Sequence, residues 1–115
     1  MAESTETVVD RFNAAFNAHD IEAVMRLMTA DCVFENTYPP PDGERFEGQA
    51  AVRANFAAFF AESPRAQFEV EDTFVCGDRA CVRWLYRWSD GHVRGVDVFR
   101  VHDGRLAEKL SYVKG

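Results

Sequence analysis

The dipeptide Asp-Gly occurs twice between β-patterned runs, at Asp90-Gly91 and at Asp103-Gly104. No other feature restricts the fold of this chain as much. A two-residue type I′ turn needs positive φ at both central positions, which Asp and Gly tolerate, and its twist suits an antiparallel hairpin. Together with Gly77-Asp78, these turns predict four consecutive strands over 67–75, 79–88, 92–101 and 106–113. Strands joined by so short a link pair antiparallel, because a parallel pair needs a long crossover.

Upstream, the apolar period changes from two to 3.6. Val8, Val9, Phe12, Ala15 and Phe16 form one stripe and predict a helix over 5–18. Ser4 and Thr5 can cap its start, and Glu3 and Glu6 suit the positive end. Asp20 opens a second, short helix over 21–28, with Ile21, Val24, Met25 and Met28 inward. A brief β-like run over 32–38 leads into Pro39-Pro40-Pro41-Asp42-Gly43, which reads as a stiff surface loop. A third helix over 49–62 buries Val52, Phe56, Phe59 and Phe60, and Ser63-Pro64 stops it. Helices segregated from an antiparallel sheet indicate an α+β fold. With 115 residues there is room for one domain, 1–115.

Thirteen basic against nineteen acidic residues leave a net charge of −6. That sign argues against a general nucleic-acid binder and against attachment to an anionic membrane. No apolar run approaches the ~20 residues of a membrane span, and Met1 to Asp10 carries no signal pattern, so a cytoplasmic protein is expected. Cys32, Cys76 and Cys81 are odd in number, lack C-x-x-C spacing and sit in strand-like apolar surroundings, where inert buried thiols are expected. His19, His92 and His102 lie in or beside turns and are expected to be solvated. There is no metal-ligand spacing, phosphate-binding glycine loop or dinucleotide fingerprint, so neither a metal nor a cofactor is predicted.

Alternation along the strands sorts the side chains into faces. Val82, Trp84, Tyr86 and Trp88 share one face, with Cys81, Arg83, Leu85 and Arg87 on the other. Gly95, Asp97, Phe99 and Val101 share a face of the next strand. Asp97 is the odd residue, since strands disfavour Asp and a carboxylate among aromatics costs free energy unless paired or protonated. Either this face meets solvent and Asp97 pairs with a cross-strand Lys or Arg, or Asp97 is a pocket carboxyl whose pKa is raised by desolvation. The fifteen aromatics either fill the core or line an apolar cavity, and Tyr38, in phase with Phe34 and Asn36, can line its mouth.

The run from Val8 to Asp20 resembles the first helix and turn of the ketosteroid isomerase and SnoaL-like families, within the nuclear transport factor 2-like superfamily. Asp31-Cys32-Val33-Phe34-Glu35-Asn36 is similar to their first strand, and Phe46 to Arg53 to the segment that opens their third helix. Val96 to Val101, followed by Asp103-Gly104-Arg105-Leu106, resembles their penultimate hairpin. The resemblance implies a cone: a strongly curved antiparallel sheet wrapped around the N-terminal helices, with a pocket between them. It also implies a homodimer through the outer sheet face, where Arg83, Leu85 and Arg87 would lie.

Matched to the isomerases, Asp97 falls on the buried acid that donates to a developing oxyanion. Phe12 falls on the tyrosine donor and Asn36 on the aspartate base, so steroid isomerase activity is not expected. Against the limonene-epoxide hydrolase type, Asn36 matches, but Phe34 lacks the hydroxyl, and Leu85 and Ser111 fall where carboxylates belong. In SnoaL-like cyclases a late acidic residue transfers the proton, a part Asp97 would play alone. Lys109 and Ser111 would project toward the same cavity, and a Lys109–Asp97 pair would keep Asp97 ionised and reverse its role.

The expected site therefore has Asp97 and Asn36 as catalytic residues, with Phe12, Phe16, Phe34, Tyr38, Phe56, Trp84, Tyr86, Phe99, Lys109 and Ser111 contacting an apolar small molecule. The function this implies is an isomerase- or cyclase-like acid–base enzyme acting on an apolar carbonyl compound. The alternative is a binding or accessory domain that keeps the pocket without the chemistry. A protein-interaction module would instead have a small, filled cavity and an exposed apolar patch.

Overall fold

A computed structural model describes residues 3–115. The chain runs α1 (Thr5–Asn17), α2 (Ile21–Arg26), β1 (Met28–Glu35), β2 (Arg45–Glu47), α3 (Gln49–Glu62), β3 (Phe68–Cys76), β4 (Arg79–Trp88), β5 (Gly91–His102) and β6 (Arg105–Val113). The six strands form one curved, unclosed sheet in the order β2-β1-β6-β5-β4-β3. The expected meander is present as β3 to β6, each pair antiparallel and joined by two residues. At Asp103-Gly104 both residues have positive φ, 50° and 75°, as a type I′ turn demands. The other Asp-Gly is shifted by one residue. Trp88 pairs with Gly91, so Ser89 and Asp90 make the turn and Gly91 begins the strand.

Three features depart from the expectation. First, β1 pairs with β6 in parallel, so the sheet is mixed at that one pair. Second, the short β2 was unforeseen; it pairs antiparallel with β1, Phe34 opposite Phe46. Third, α2 ends at Arg26 instead of reaching Met28. The Leu106 N–H donates to the Leu27 carbonyl at 2.7 Å, and Met28 pairs with Leu106, so the sheet captures the end of the predicted helix. The Gln49 carboxamide nitrogen lies 3.0–3.1 Å from the carbonyls of Met25, Met28 and Thr29 and satisfies the backbone this leaves open.

The helix starts follow the expected capping chemistry. The Ser4 hydroxyl accepts from the Thr7 N–H and the Asp20 carboxylate from the Ala23 N–H, both at 3.1 Å. The apolar stripe of α1 is buried at Val8, Val9, Phe12 and Phe16, and α3 buries Val52, Phe56 and Phe60. These faces meet on the concave side of the sheet. Phe12 is wholly buried, with Phe16, Phe56 and Phe99 at ring-centroid distances of 5.8, 6.2 and 5.9 Å. Truncating such a ring to Ala costs about 3–5 kcal/mol.

Two other expectations need correction. Cys32 is buried, but Cys81 is half-buried and Cys76 exposed at the end of β3. His19 is only half-exposed: its ring stacks on Phe60 at 4.7 Å and its Nε2 lies 2.8 Å from the Ala66 carbonyl. His92 and His102 are exposed as expected. Leu85, although on the outer face between exposed Arg83 and Arg87, is buried within the single chain. Among the described residues, no helix is long and apolar enough to cross a membrane.

Candidate functional site

The curved sheet and the helices leave a pocket of about 470 Å³ between them. That volume is within the range of small-molecule sites and is not the small, filled cavity of an interaction module. Its floor is set by strand register. Val82 of β4 faces Asp97 of β5, which in turn faces Ser111 of β6. Two residues along, Lys109 sits between Phe99 on β5 and Phe34 on β1. Side chains with a period of two on adjacent strands thus converge on the concave face.

There the polar groups join. The Ser111 hydroxyl donates to Asp97 Oδ1 at 2.6 Å, and Lys109 Nζ donates to Ser111 Oγ at 3.1 Å. Lys109 Nζ lies 3.4 Å from Asp97 Oδ2, with both side chains only 10% exposed. Asp97 and Lys109 are the only buried charged groups among the described residues. The ammonium also sits over two aromatic rings, 4.7 Å from the centroid of Phe34 and 5.4 Å from that of Phe16. The face of Asp97 is therefore the pocket and not the solvent side, yet the cross-strand cation of the solvent-facing reading is present as Lys109.

Around this floor the walls are aromatic. Phe16, Phe34, Phe56 and Trp84 line the pocket as expected, and Phe59 and Phe68 do so as well. Trp84 meets Phe68 edge-on at 5.2 Å, and its indole N–H is buried without a hydrogen-bond partner. A Cβ on Gly95 would lie 2.3 Å from the Trp84 ring and 2.5 Å from the Tyr112 carbonyl, so only glycine lets the indole lie flat against β5. Tyr38 lines the mouth while remaining 74% exposed.

Asn36 also lines the pocket, but its side chain is partly engaged elsewhere. Its Oδ1 accepts the Glu44 N–H at 2.7 Å, and its own backbone N–H donates to the Glu44 carbonyl at 3.0 Å. These bonds close the proline loop, leaving the amide nitrogen as the group that can reach a ligand. Glu35 faces away and pairs with Arg45 at 2.8 Å.

Three expected ligand contacts lie outside the lining. Phe12 and Phe99 are wholly buried in the core behind it, and Tyr86 packs beyond its end against Phe68 and Trp88, at 5.0 and 6.0 Å. Parity assigns a face but does not say how far along the strand a helix covers it, and α1 lies over Phe99. Conversely, Asn13 and Asn55 were not foreseen as lining residues. They stand one turn N-terminal to Phe16 and immediately before Phe56, the only hint the sequence offered. Asn17 lines the pocket too, but its amide clamps the start of β3 through Phe68, donating at 2.8 Å and accepting at 2.9 Å.

Among the thiols, burial pushes Cys32 and Cys81 above their ordinary value, which suits unreactive side chains.

A family model described as SnoaL-like domain matches residues 9–109. Solved structures share the fold. An NTF2-like protein of unknown function from Mesorhizobium loti is 46% identical, with a TM-score of 0.85 over 96% of this chain and 91% of that one. A candidate ketosteroid isomerase from Kribbella flavida is 20% identical, with a TM-score of 0.82 over 96% of this chain and 78% of that one. A candidate polyketide cyclase from Sinorhizobium meliloti is 23% identical, with a TM-score of 0.76 over 96% of this chain and all of that one. No curated protein sequence gives a significant match.

Proposed function

The chain belongs to the SnoaL-like domain family, and from that premise we propose that it is an acid–base enzyme acting on an apolar carbonyl compound. One observation carries this reading: a buried Asp97–Ser111–Lys109 cluster at the floor of an otherwise aromatic pocket. Held by the Ser111 hydroxyl and beside an ammonium, the Asp97 carboxylate is arranged to accept a proton. This differs from the neutral oxyanion donor of the steroid isomerases. Asp97 takes the proton from the carbon next to the carbonyl, and the Lys109 ammonium stabilises the oxyanion that develops. The free amide nitrogen of Asn36 orients the substrate oxygen or a polar group near the mouth. The aromatic walls select a flat or alicyclic body and exclude water.

The test is hydrogen–deuterium exchange at the α-carbon of small apolar ketones, followed by NMR. The wild-type protein is expected to accelerate exchange, and Asp97→Asn to lose about 10²–10⁴ of that rate. Exchange that survives Asp97→Asn sinks the assignment.

A second reading has its own support. Phe12 stands where the isomerases carry a tyrosine donor, and it is sealed in the core, while the Asn36 carbonyl oxygen is committed to the loop. A non-catalytic domain that binds an apolar ligand fits those two facts. It predicts ligand-induced quenching of Trp84 fluorescence with no exchange and no conversion.

The same reading takes the working unit as one domain acting in the cytoplasm as a homodimer. The outer sheet face offers an apolar cross-strand row, Phe74, Cys81, Val98 and Leu110, with exposed Tyr112 beside it. Light scattering on the purified protein checks the dimer, and Phe74→Glu is expected to shift it to monomer.

A further inference from the structure

We infer that Lys109 is a carbonyl-capturing amine, whose Nζ condenses with an aldehyde or ketone in the pocket to form a protonated imine. This rests on reading the pocket as a carbonyl site and adds a covalent step to it.

The first support is the way the chain uses its cations. It carries eleven arginines and only two lysines, Lys109 and Lys114. Among the described residues the surface ion pairs are made by arginine, such as Arg45 with Glu35, Arg53 with Glu22 and Arg94 with Glu71, apart from a contact of His102 with Asp103. The one buried cation among the described residues is a lysine. A guanidinium binds a carboxylate through two parallel hydrogen bonds and would be the better structural partner for Asp97, but it cannot give up its proton. An ammonium can, and the resulting amine is a nucleophile.

The second support is geometry. Nζ is flanked by an acceptor for its proton, Asp97 Oδ2 at 3.4 Å, and by the Ser111 hydroxyl at 3.1 Å. Its remaining side faces the rings of Phe34 and Phe16 and the 470 Å³ cavity. A carbonyl compound lying on the aromatic wall would present its carbon to Nζ with Asp97 beside the oxygen.

The step balances without a co-reactant. Lys109 passes a proton to Asp97, which turns two buried charges into two neutral groups. The amine lone pair adds to the carbonyl carbon while the C=O π pair moves to oxygen, and a proton relayed from nitrogen to oxygen completes a carbinolamine. The Asp97 carboxylic acid then protonates the departing hydroxyl, the C–O bond breaks and water leaves. The product is an iminium on Lys109 opposite a restored carboxylate. No atom is oxidised or reduced.

The test incubates the wild-type protein with benzaldehyde, cinnamaldehyde and 2-cyclohexenone in the presence of cyanoborohydride, which fixes an imine as a stable amine. Intact mass and peptide mapping read the adduct. Labelling is expected at Lys109 at least about tenfold faster than at Lys114, to vanish in Lys109→Arg, and to slow about tenfold or more in both Asp97→Asn and Ser111→Ala. Labelling of Lys114 as fast as Lys109, or no Lys109 adduct with any probe, overturns the inference. The α-carbon exchange assay separates the two ideas. Exchange without an adduct leaves the acid–base reading standing and removes the imine, whereas an adduct without exchange does the reverse.

Discussion

Lys109→Met is the most informative single perturbation of this protein. It keeps an unbranched apolar stem one atom shorter than lysine and removes the charge together with the hydrogen bond to the Ser111 hydroxyl. In the wild-type fold, Nζ lies 3.4 Å from Asp97 Oδ2, and each side chain of the pair is 10% exposed. Removing one partner of so buried a pair leaves a carboxylate without compensation, at a cost of about 3–5 kcal/mol. The Ser111 hydroxyl, at 2.6 Å, offsets part of that loss and places the expected value near the lower end, about 3 kcal/mol. For a domain of this size that corresponds to a fall in Tm of roughly 10–20 °C. Urea unfolding followed by tryptophan fluorescence reads the change as a lower midpoint at unchanged m. The companion variant Lys109→Met/Asp97→Leu replaces both charges by apolar groups of similar volume. It is expected to recover most of the loss, because a buried pair is costly to desolvate and its complete removal is often neutral. A loss below about 1 kcal/mol for Lys109→Met, the value of a surface ion pair, would refute the reasoning. So would a double variant no more stable than the single one.

Three further outcomes are expected. Gly95→Ala drives a methyl into the Trp84 ring and the Tyr112 carbonyl, and backbone on one side cannot give, so it costs about 1–3 kcal/mol and narrows the pocket; thermal unfolding and fluorescence of Trp84 check both effects. At about pH 8 a thiol reagent should modify exposed Cys76 promptly and buried Cys32 only after denaturation, and rapid loss of all three thiols in the folded protein counts against the packing of β1. The hydrogen bond from Arg94 holds the Glu71 carboxyl below its ordinary 4.5. A folded-state value below the unfolded one stabilises above that pH and loses its effect as pH falls through the lowered value. The small difference in Tm between wild type and Glu71→Gln should therefore be present at neutral pH and fade as pH falls through the lowered value.

Much of this protein is legible from one dimension, because local chemistry specifies it. Asp103-Gly104 makes its turn from backbone preferences alone, and Ser4 and Asp20 begin their helices by satisfying orphan N–H groups within three residues. The apolar stripe of α1 and the alternation along β4 and β5 mark the buried faces, and a carboxylate in the middle of such a face singles out Asp97. What three dimensions decided depends on contacts between segments far apart in the chain. The pairing of β1 with β6 is parallel and has no turn to announce it, yet it puts Phe34 against Lys109. The same pairing captures Met28 from a helix whose own sequence would have continued. Asp97 opposite Ser111, with Lys109 two residues away, follows from the register of the last hairpin, and a slip of one residue would turn both partners outward. The covering of Phe12 and Phe99 and the opening over Phe34 and Trp84 depend on where α1 and α3 cross the curved sheet. The sequence by itself determined the last four strands, the starts of α1 and α2, the buried faces of α1, β4 and β5, and the residue whose placement demanded an explanation. Only the packing decided which cation meets that residue, because register and helix placement are cooperative outcomes of the whole core, and no short segment encodes them.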